Sequence, residues 1–164
     1  MTNSYQNIDP QTHVFAKGDH VAVYYTPSQE TPFWFWHHGI CVGYEDNIPY
    51  FISLSRKGLR KETLEEFSEN HERMRLYSHD FKKFSRDEVV MRAYDCLLNA
   101  QHPDYKYDLL SNNCEHFVNY IIEDNKKSSQ VRHTLGATAV GIATLGIVGA
   151  GIISTINKNR HKNI

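Results

Sequence analysis

Residues 20–25 read HVAVYY, with Val21, Val23 and Tyr25 alternating with His20, Ala22 and Tyr24. This period of two predicts a strand, launched from a turn at Gly18-Asp19. Residues 26–32 hold two prolines and form a loop. A second strand runs through FWFWHHGICVG and stops at Gly43, the turn YEDN follows, and IPYFISLS predicts a third. Residues 60–75 are rich in charge and fit no single period, whereas residues 74–77 fit a further strand. The period changes at Ser85: Ser85-Arg86-Asp87-Glu88 is a capping-box pattern, and Val89, Val90, Ala93, Tyr94, Leu97 and Leu98 form a helical stripe that ends before His102-Pro103. A last helix begins at Cys114, capped by Asn112 or Asn113, with Phe117, Val118, Ile121 and Ile122 facing inward. Strands first and helices around them, without strict alternation, predict an α+β domain with an antiparallel sheet.

One stretch follows neither period. Residues 135–156, LGATAVGIATLGIVGAGIISTI, carry no charge and as a helix would span ~33 Å, enough for a hydrocarbon core. Five of the nine glycines lie in it (Gly136, Gly141, Gly146, Gly149, Gly151), as is common where transmembrane helices pack closely. The sequence thus predicts one C-terminal transmembrane helix. The amino terminus, MTNSYQNIDPQTH, lacks the basic-then-apolar pattern of a signal peptide. The expectation is a cytosol-facing body on a single-pass tail anchor in an intracellular membrane. The chain divides into an N-terminal extension (1–16), a folded domain (17–125), a linker (126–134), the anchor (135–156) and a basic tail (157–164).

Charge narrows the partners. The 164 residues sum to −1, but Lys158, Arg160 and Lys162 follow the apolar stretch with no acid beside them. The body before it therefore holds 15 of the 18 basic residues against all 19 acids, a balance of −4. An acidic body argues against nucleic acid as a partner. Cys41, Cys96 and Cys114 are too few and too scattered for a disulfide framework or zinc knuckle, and an odd count suits a reducing compartment.

Candidate chemistry sits in two strings. In Asn113-Cys114-Glu115-His116-Phe117-Val118 a thiol opens a helix, where the dipole and free first-turn N–H groups favour thiolate and can hold a developing oxyanion. In His37-His38-Gly39-Ile40-Cys41-Val42-Gly43, a strand presents His37, Gly39 and Cys41 on one face and His38, Ile40 and Val42 on the other. Gly39 leaves room for another element to approach the imidazole. A cysteine on a helix start and a histidine on a strand are the nucleophile and base of papain-like chemistry. Cys41 and Cys96 read as small buried hydrophobes, and His116 as a packing or hydrogen-bonding residue. A metal site from Cys114, His37 and His38 is a poor alternative, because adjacent strand residues face opposite ways and no C-x-x-C accompanies them. No metal or organic cofactor is implied.

These strings, in the order Gly18-Asp19, His37-x-Gly39-Ile40-x-Val42-Gly43, Asn113-Cys114-Glu115-His116-Phe117-Val118 and Ser129-Gln130-Val131-Arg132 before an apolar segment, resemble the lecithin:retinol acyltransferase-like proteins. Within them the chain most resembles the phospholipase A and acyltransferase branch, also called HRAS-like suppressors. The resemblance implies a circularly permuted papain-like fold and calcium-independent thiol chemistry on glycerophospholipid esters. It makes Cys114 the nucleophile and His37 the base, and sets Ser53 where the family usually has a second histidine, as a possible orienter of the ring. The implied activity is that of a membrane-anchored phospholipase A1/A2 and acyltransferase. Its acyl-thioester passes to water, to an amine as in N-acylation of phosphatidylethanolamine, or to a lysolipid hydroxyl. The implied partners are the phospholipid substrate, the bilayer and the acyl acceptor. The alternatives are a catalytically weak membrane-bound regulatory protein, favoured by Ser53, and a thiol peptidase or amidase of the same fold.

Overall fold

The computed structural model describes residues 4–27, 34–109 and 111–125. Among them six strands form one antiparallel sheet: β1 (Tyr5–Ile8), β2 (His20–Tyr25), β3 (Phe35–Glu45), β4 (Ile48–Ser55), β5 (Gly58–Thr63) and β6 (Met74–Tyr77), in the order β1-β6-β2-β3-β4-β5. Three α-helices accompany it: α1 (Leu64–Ser68), α2 (Arg86–Leu98) and α3 (Cys114–Glu123). The β3–β4 turn places Asp46 and Asn47 at positive φ, 49° and 64°, the paired left-handed geometry whose twist matches a two-residue hairpin. Gly18 lies at φ +80° against Arg86. Beside it, the Ala16 N–H donates to Asp19 (2.8 Å) and the Arg86 guanidinium donates to the other Asp19 oxygen (2.6 Å), which ties the start of α2 to the start of β2.

Alternation along the strands sorts two cores onto the two faces of the sheet. Ile40, Val42, Ile52, Leu54 and Leu59 pack with Val89, Ala93 and Cys96 of α2 and with Phe117, Val118, Ile121 and Ile122 of α3. Val21, Val23, Cys41, Phe51 and Met74 pack on the opposite face with Phe15 and with Phe67 of α1. Cys41 and Cys96 are buried, one in each core, as expected.

The strands at 20–25, 48–55 and 74–77 and the capping box at Ser85 and Glu88 agree with the sequence reading, and Asn113 is the cap of α3. Four features differ. Strand β3 does not stop at Gly43 but runs on to Glu45, so the turn is Asp46-Asn47 and not the whole of YEDN. Leu98, read as part of the buried stripe, is 84% exposed, because α2 points Val89, Ala93 and Cys96 at the sheet. The charge-rich segment resolves into β5 and the one-turn α1, whose start is closed by a Thr63/Glu66 capping box. A strand, β1, forms in the amino-terminal extension and pairs with β6.

The α+β class with an antiparallel sheet stands and is consistent with a papain-like fold, but the expected transmembrane helix is corrected. Residues 135–156 lie outside the described residues, and among the described residues no helix is long and apolar enough to cross a membrane. The longest, α2, has 13 residues, short of the ~20 that a span needs. The membrane-anchored, bilayer-partnered and single-pass tail-anchored descriptions fall with that helix.

Candidate active site

Cys114 is the first residue of α3, and the residues around it build the helix start. The Asn113 side-chain oxygen accepts from the N–H groups of Glu115 (3.0 Å) and His116 (3.1 Å), while His116 Nδ1 accepts from the Asn113 N–H (3.3 Å). His116 is thereby a capping residue, in line with the hydrogen-bonding role expected of it.

Helix α3 packs on the sheet face that carries Ile40 and Val42, the face of His38 and not of His37. The thiol nevertheless meets the His37 segment, because the sheet opens there. Pairing of β3 with β4 runs only as far as Gly39↔Ser53, whereas β2 stays paired to β3 through Tyr25↔Phe35. Cys41 exchanges its backbone bonds with the β2 side, accepting from Gly18 (2.8 Å) and donating to Asp19 (2.9 Å). Strand alternation therefore turns the backbone groups of residues 36 and 38 toward the edge that β4 has left. The Cys114 thiol fills that opening: its S–H donates to the Trp36 carbonyl at 3.7 Å, and the His38 N–H donates toward its sulfur. Cys114 is thus held against the backbone on either side of His37.

The His37 ring looks into the other core. Phe67 lies 5.2 Å from it and Tyr25 meets it edge-on at 5.5 Å. Gly39 is what admits Phe67, since a Cβ there would come within 2.7 Å of the Phe67 ring. His37 Nε2 is 3.2 Å from the Ser53 hydroxyl, and that hydroxyl donates to Glu62 at 2.8 Å. The three side chains are buried, and Arg60 flanks Glu62 at 3.7 Å. With the serine proton committed to a carboxylate, the Ser53 oxygen can only accept from the ring. The proton of neutral His37 therefore sits on Nε2, and Nδ1 keeps the basic lone pair.

Glu62 was not visible to sequence reasoning. It pairs with Phe51, diagonally across from Ser53, so only the β4–β5 register brings it to the hydroxyl.

Burial dominates the electrostatics. It pushes the Cys114 thiol up to about 12, against the pull of the N–H groups of His38, Glu115 and Cys114 itself. Burial, with His38 nearby, pushes His37 down to about 3. The resting pair is thiol and neutral imidazole. Burial also raises the Glu62 carboxyl, while Ser53 and Arg60 draw it back.

His38 belongs to a separate string on the α3 side. Its Nδ1 lies 2.7 Å from His20 Nε2, His20 Nδ1 lies 2.9 Å from His79 Nε2, and His79 Nδ1 faces Glu123 at 3.9 Å. His20 uses both nitrogens within the string and His38 and His79 each give it one, so the lone pairs point along the string and do not converge on a point as metal ligands must.

A search of curated proteins and of solved structures finds no match to this sequence. The family model described as lecithin retinol acyltransferase matches residues 13–127, which take in β2 through α3 and every side chain of the site above. With more than half its length so matched, and with a thiol at a helix start lodged beside a strand histidine, the chain belongs to the lecithin retinol acyltransferase family.

Proposed function

We propose that the protein is a thiol acyltransferase and phospholipase acting on glycerophospholipid esters, with Cys114 as nucleophile, His37 as base, and Ser53 backed by Glu62 as the pair that orients the ring. Family membership carries acyltransferase or phospholipase-type catalysis. The observation that supports the residue roles is the Cys114 thiol seated between the Trp36 carbonyl and the His38 N–H, the two backbone groups that bracket His37.

His37 Nδ1 takes the thiol proton as sulfur bonds to the ester carbonyl carbon. The negative charge that develops on the carbonyl oxygen faces the Cys114 N–H at the start of α3, the first-turn donor that the Asn113 cap does not occupy. Collapse breaks the bond to the glycerol oxygen, which takes the proton from Nδ1 and leaves as lysophospholipid. The acyl-thioester on Cys114 is then attacked by water, an amine or a hydroxyl, whose proton passes through Nδ1 to the departing sulfur. The products are a fatty acid, an N-acyl lipid or a new ester.

Intact-mass spectrometry after mixing with short-chain phosphatidylcholine tests this. A fatty-acyl adduct labile to hydroxylamine is expected in the native chain, in Cys41→Ala and in Cys96→Ala, and is expected to vanish in Cys114→Ala. An adduct that persists in Cys114→Ala refutes the assignment.

A further inference from the structure

On the α3 face of the sheet, two arginines, Arg73 just before β6 and Arg75 within it, share the indole of Trp36, the residue whose carbonyl holds the thiol. The Arg75 guanidinium lies 3.9 Å from the Trp36 ring and 3.8 Å from Tyr5, while Arg73 lies 5.5 Å from Trp36 and 4.7 Å from Tyr24. None of the ion pairs among the described residues includes either arginine. Arg75 reaches the Tyr77 hydroxyl, yet its Nε is buried with no acceptor among the described residues. A buried N–H without a partner costs roughly 1–3 kcal/mol, and two like charges side by side on a strand repel. Arg60, Arg86 and Arg92 each sit against a carboxylate, whereas among the described residues these two arginines have none. An anion would relieve both costs.

We propose that Arg73 and Arg75, clamped on Trp36, form the subsite for the phosphodiester of the glycerophospholipid substrate. This rests on the acyl-transfer reading above and names the part of the substrate that the thiol does not touch. The Trp36 residue joins the two: its carbonyl holds the Cys114 thiol and its indole carries the guanidiniums. In a glycerophospholipid only a short glycerol segment separates the ester carbonyl from the phosphorus, as a thiol and a guanidinium pair joined through one residue require. Guanidinium planes match phosphate oxygens in bidentate geometry, which a lysine at the same place does not reproduce. Arg73 is exposed and Arg75 half-buried, so the headgroup approaches from solvent while the acyl ester turns in toward α3.

The full chain provides its own probe. Trp34 and Trp36 are its two tryptophans, so a Trp34→Phe, Cys114→Ala background isolates the indole of the subsite and prevents turnover. Its fluorescence is titrated with monomeric dihexanoylphosphatidylcholine, with dihexanoylglycerol, and with inorganic phosphate. The expected result is saturable binding of the phospholipid at least tenfold tighter than the phosphate-free diester. Arg73→Gln and Arg75→Lys should each weaken it at least tenfold. In the native thiol background the same substitutions should lower the ratio of kcat/KM for the phospholipid to that for dihexanoylglycerol by a similar factor. Equal binding of the two lipids, or phospholipid binding that survives both substitutions, overturns the subsite. Saturation by inorganic phosphate that the phospholipid fails to displace also overturns it, as a free-anion site. Binding that follows the expected pattern without any acyl adduct on the native thiol would sink the catalytic reading instead, so the two failures are distinct.

Discussion

Replacing Glu62 with glutamine isolates the charge behind the Ser53 hydroxyl. The amide oxygen can still accept from Ser53, so the proton on His37 Nε2 and the lone pair on Nδ1 are retained, and only the carboxylate charge is lost. Two successive hydrogen bonds, 3.2 and 2.8 Å, put that charge at most about 6 Å from the ring nitrogen. At an effective dielectric near 20 a unit charge at that distance stabilises imidazolium by roughly 3 kcal/mol. Arg60, at 3.7 Å from the same carboxylate, offsets part of this, leaving about 1–2 kcal/mol, or a 5- to 30-fold change in the population of the thiolate–imidazolium pair. Glu62→Gln should therefore lower kcat/KM by that factor on monomeric short-chain phosphatidylcholine, with a matching drop in the rate at which Cys114 is acylated in a single turnover. The Ser53→Ala, Glu62→Gln double variant should be no slower than Ser53→Ala alone, because the carboxylate acts through the hydroxyl. A folded Glu62→Gln within twofold of the native rate, or a double variant whose losses multiply, would refute the relay.

The two adjacent histidines should separate cleanly: His37→Ala is expected to cost at least ~10²-fold in acylation rate, and His38→Ala mainly a lowered melting temperature, so a larger rate loss at His38 would move the base to the α3 side. Gly39→Ala should destabilise by about 1–3 kcal/mol and displace Phe67 from the imidazole, since the new methyl would sit 2.7 Å from that ring; denaturant titration and the acylation rate report the two effects. Acid should unfold the chain early. Burial holds His37 at about 3 and both His38 and His79 at about 4, below the ordinary 6.5, so their neutral burial contributes stability above pH 6.5 that is lost as pH falls toward the folded values. At pH 5 each costs the native state about 2 kcal/mol, together a large share of a typical 5–15 kcal/mol, and circular dichroism should show a transition centred above pH 4. A chain still folded at pH 4 would contradict these environments.

The strands and helices legible in the sequence are those whose period or caps are local. HVAVYY, IPYFISLS and the Ser85 and Asn113 helix starts all read correctly, because alternation and a cap are set by neighbours within four residues. Strand β1 was not legible, since YQNI has no apolar alternation and exists as a strand through its pairing with β6. In the charge-rich segment the Thr63-to-Glu66 spacing was the available sign of α1, but a helix of five residues has no stripe to go with it. Within the candidate site, the helix-opening cysteine and the strand histidine were legible as motifs. Glu62, Arg73 and Arg75 were not, because their placement depends on inter-strand register and on where β3 and β4 part.

The string of three imidazoles carries a direction. Each N···N contact needs one donor and one acceptor, and each neutral ring owns a single proton, so choosing the tautomer of one ring chooses all three. Glu123, half-exposed at the far end, favours a proton on His79 Nδ1. His20 must then donate through Nδ1, His38 likewise, and His38 Nε2 is left as a bare lone pair, a buried nitrogen with no partner among the described residues. A surface carboxylate thereby writes the protonation pattern of a ring buried under the sheet beside the thiol. Reversing it would require three protons to move in concert, so ring NMR of His20, His38 and His79 should show one shared tautomeric transition when Glu123 is changed to glutamine, not three separate ones.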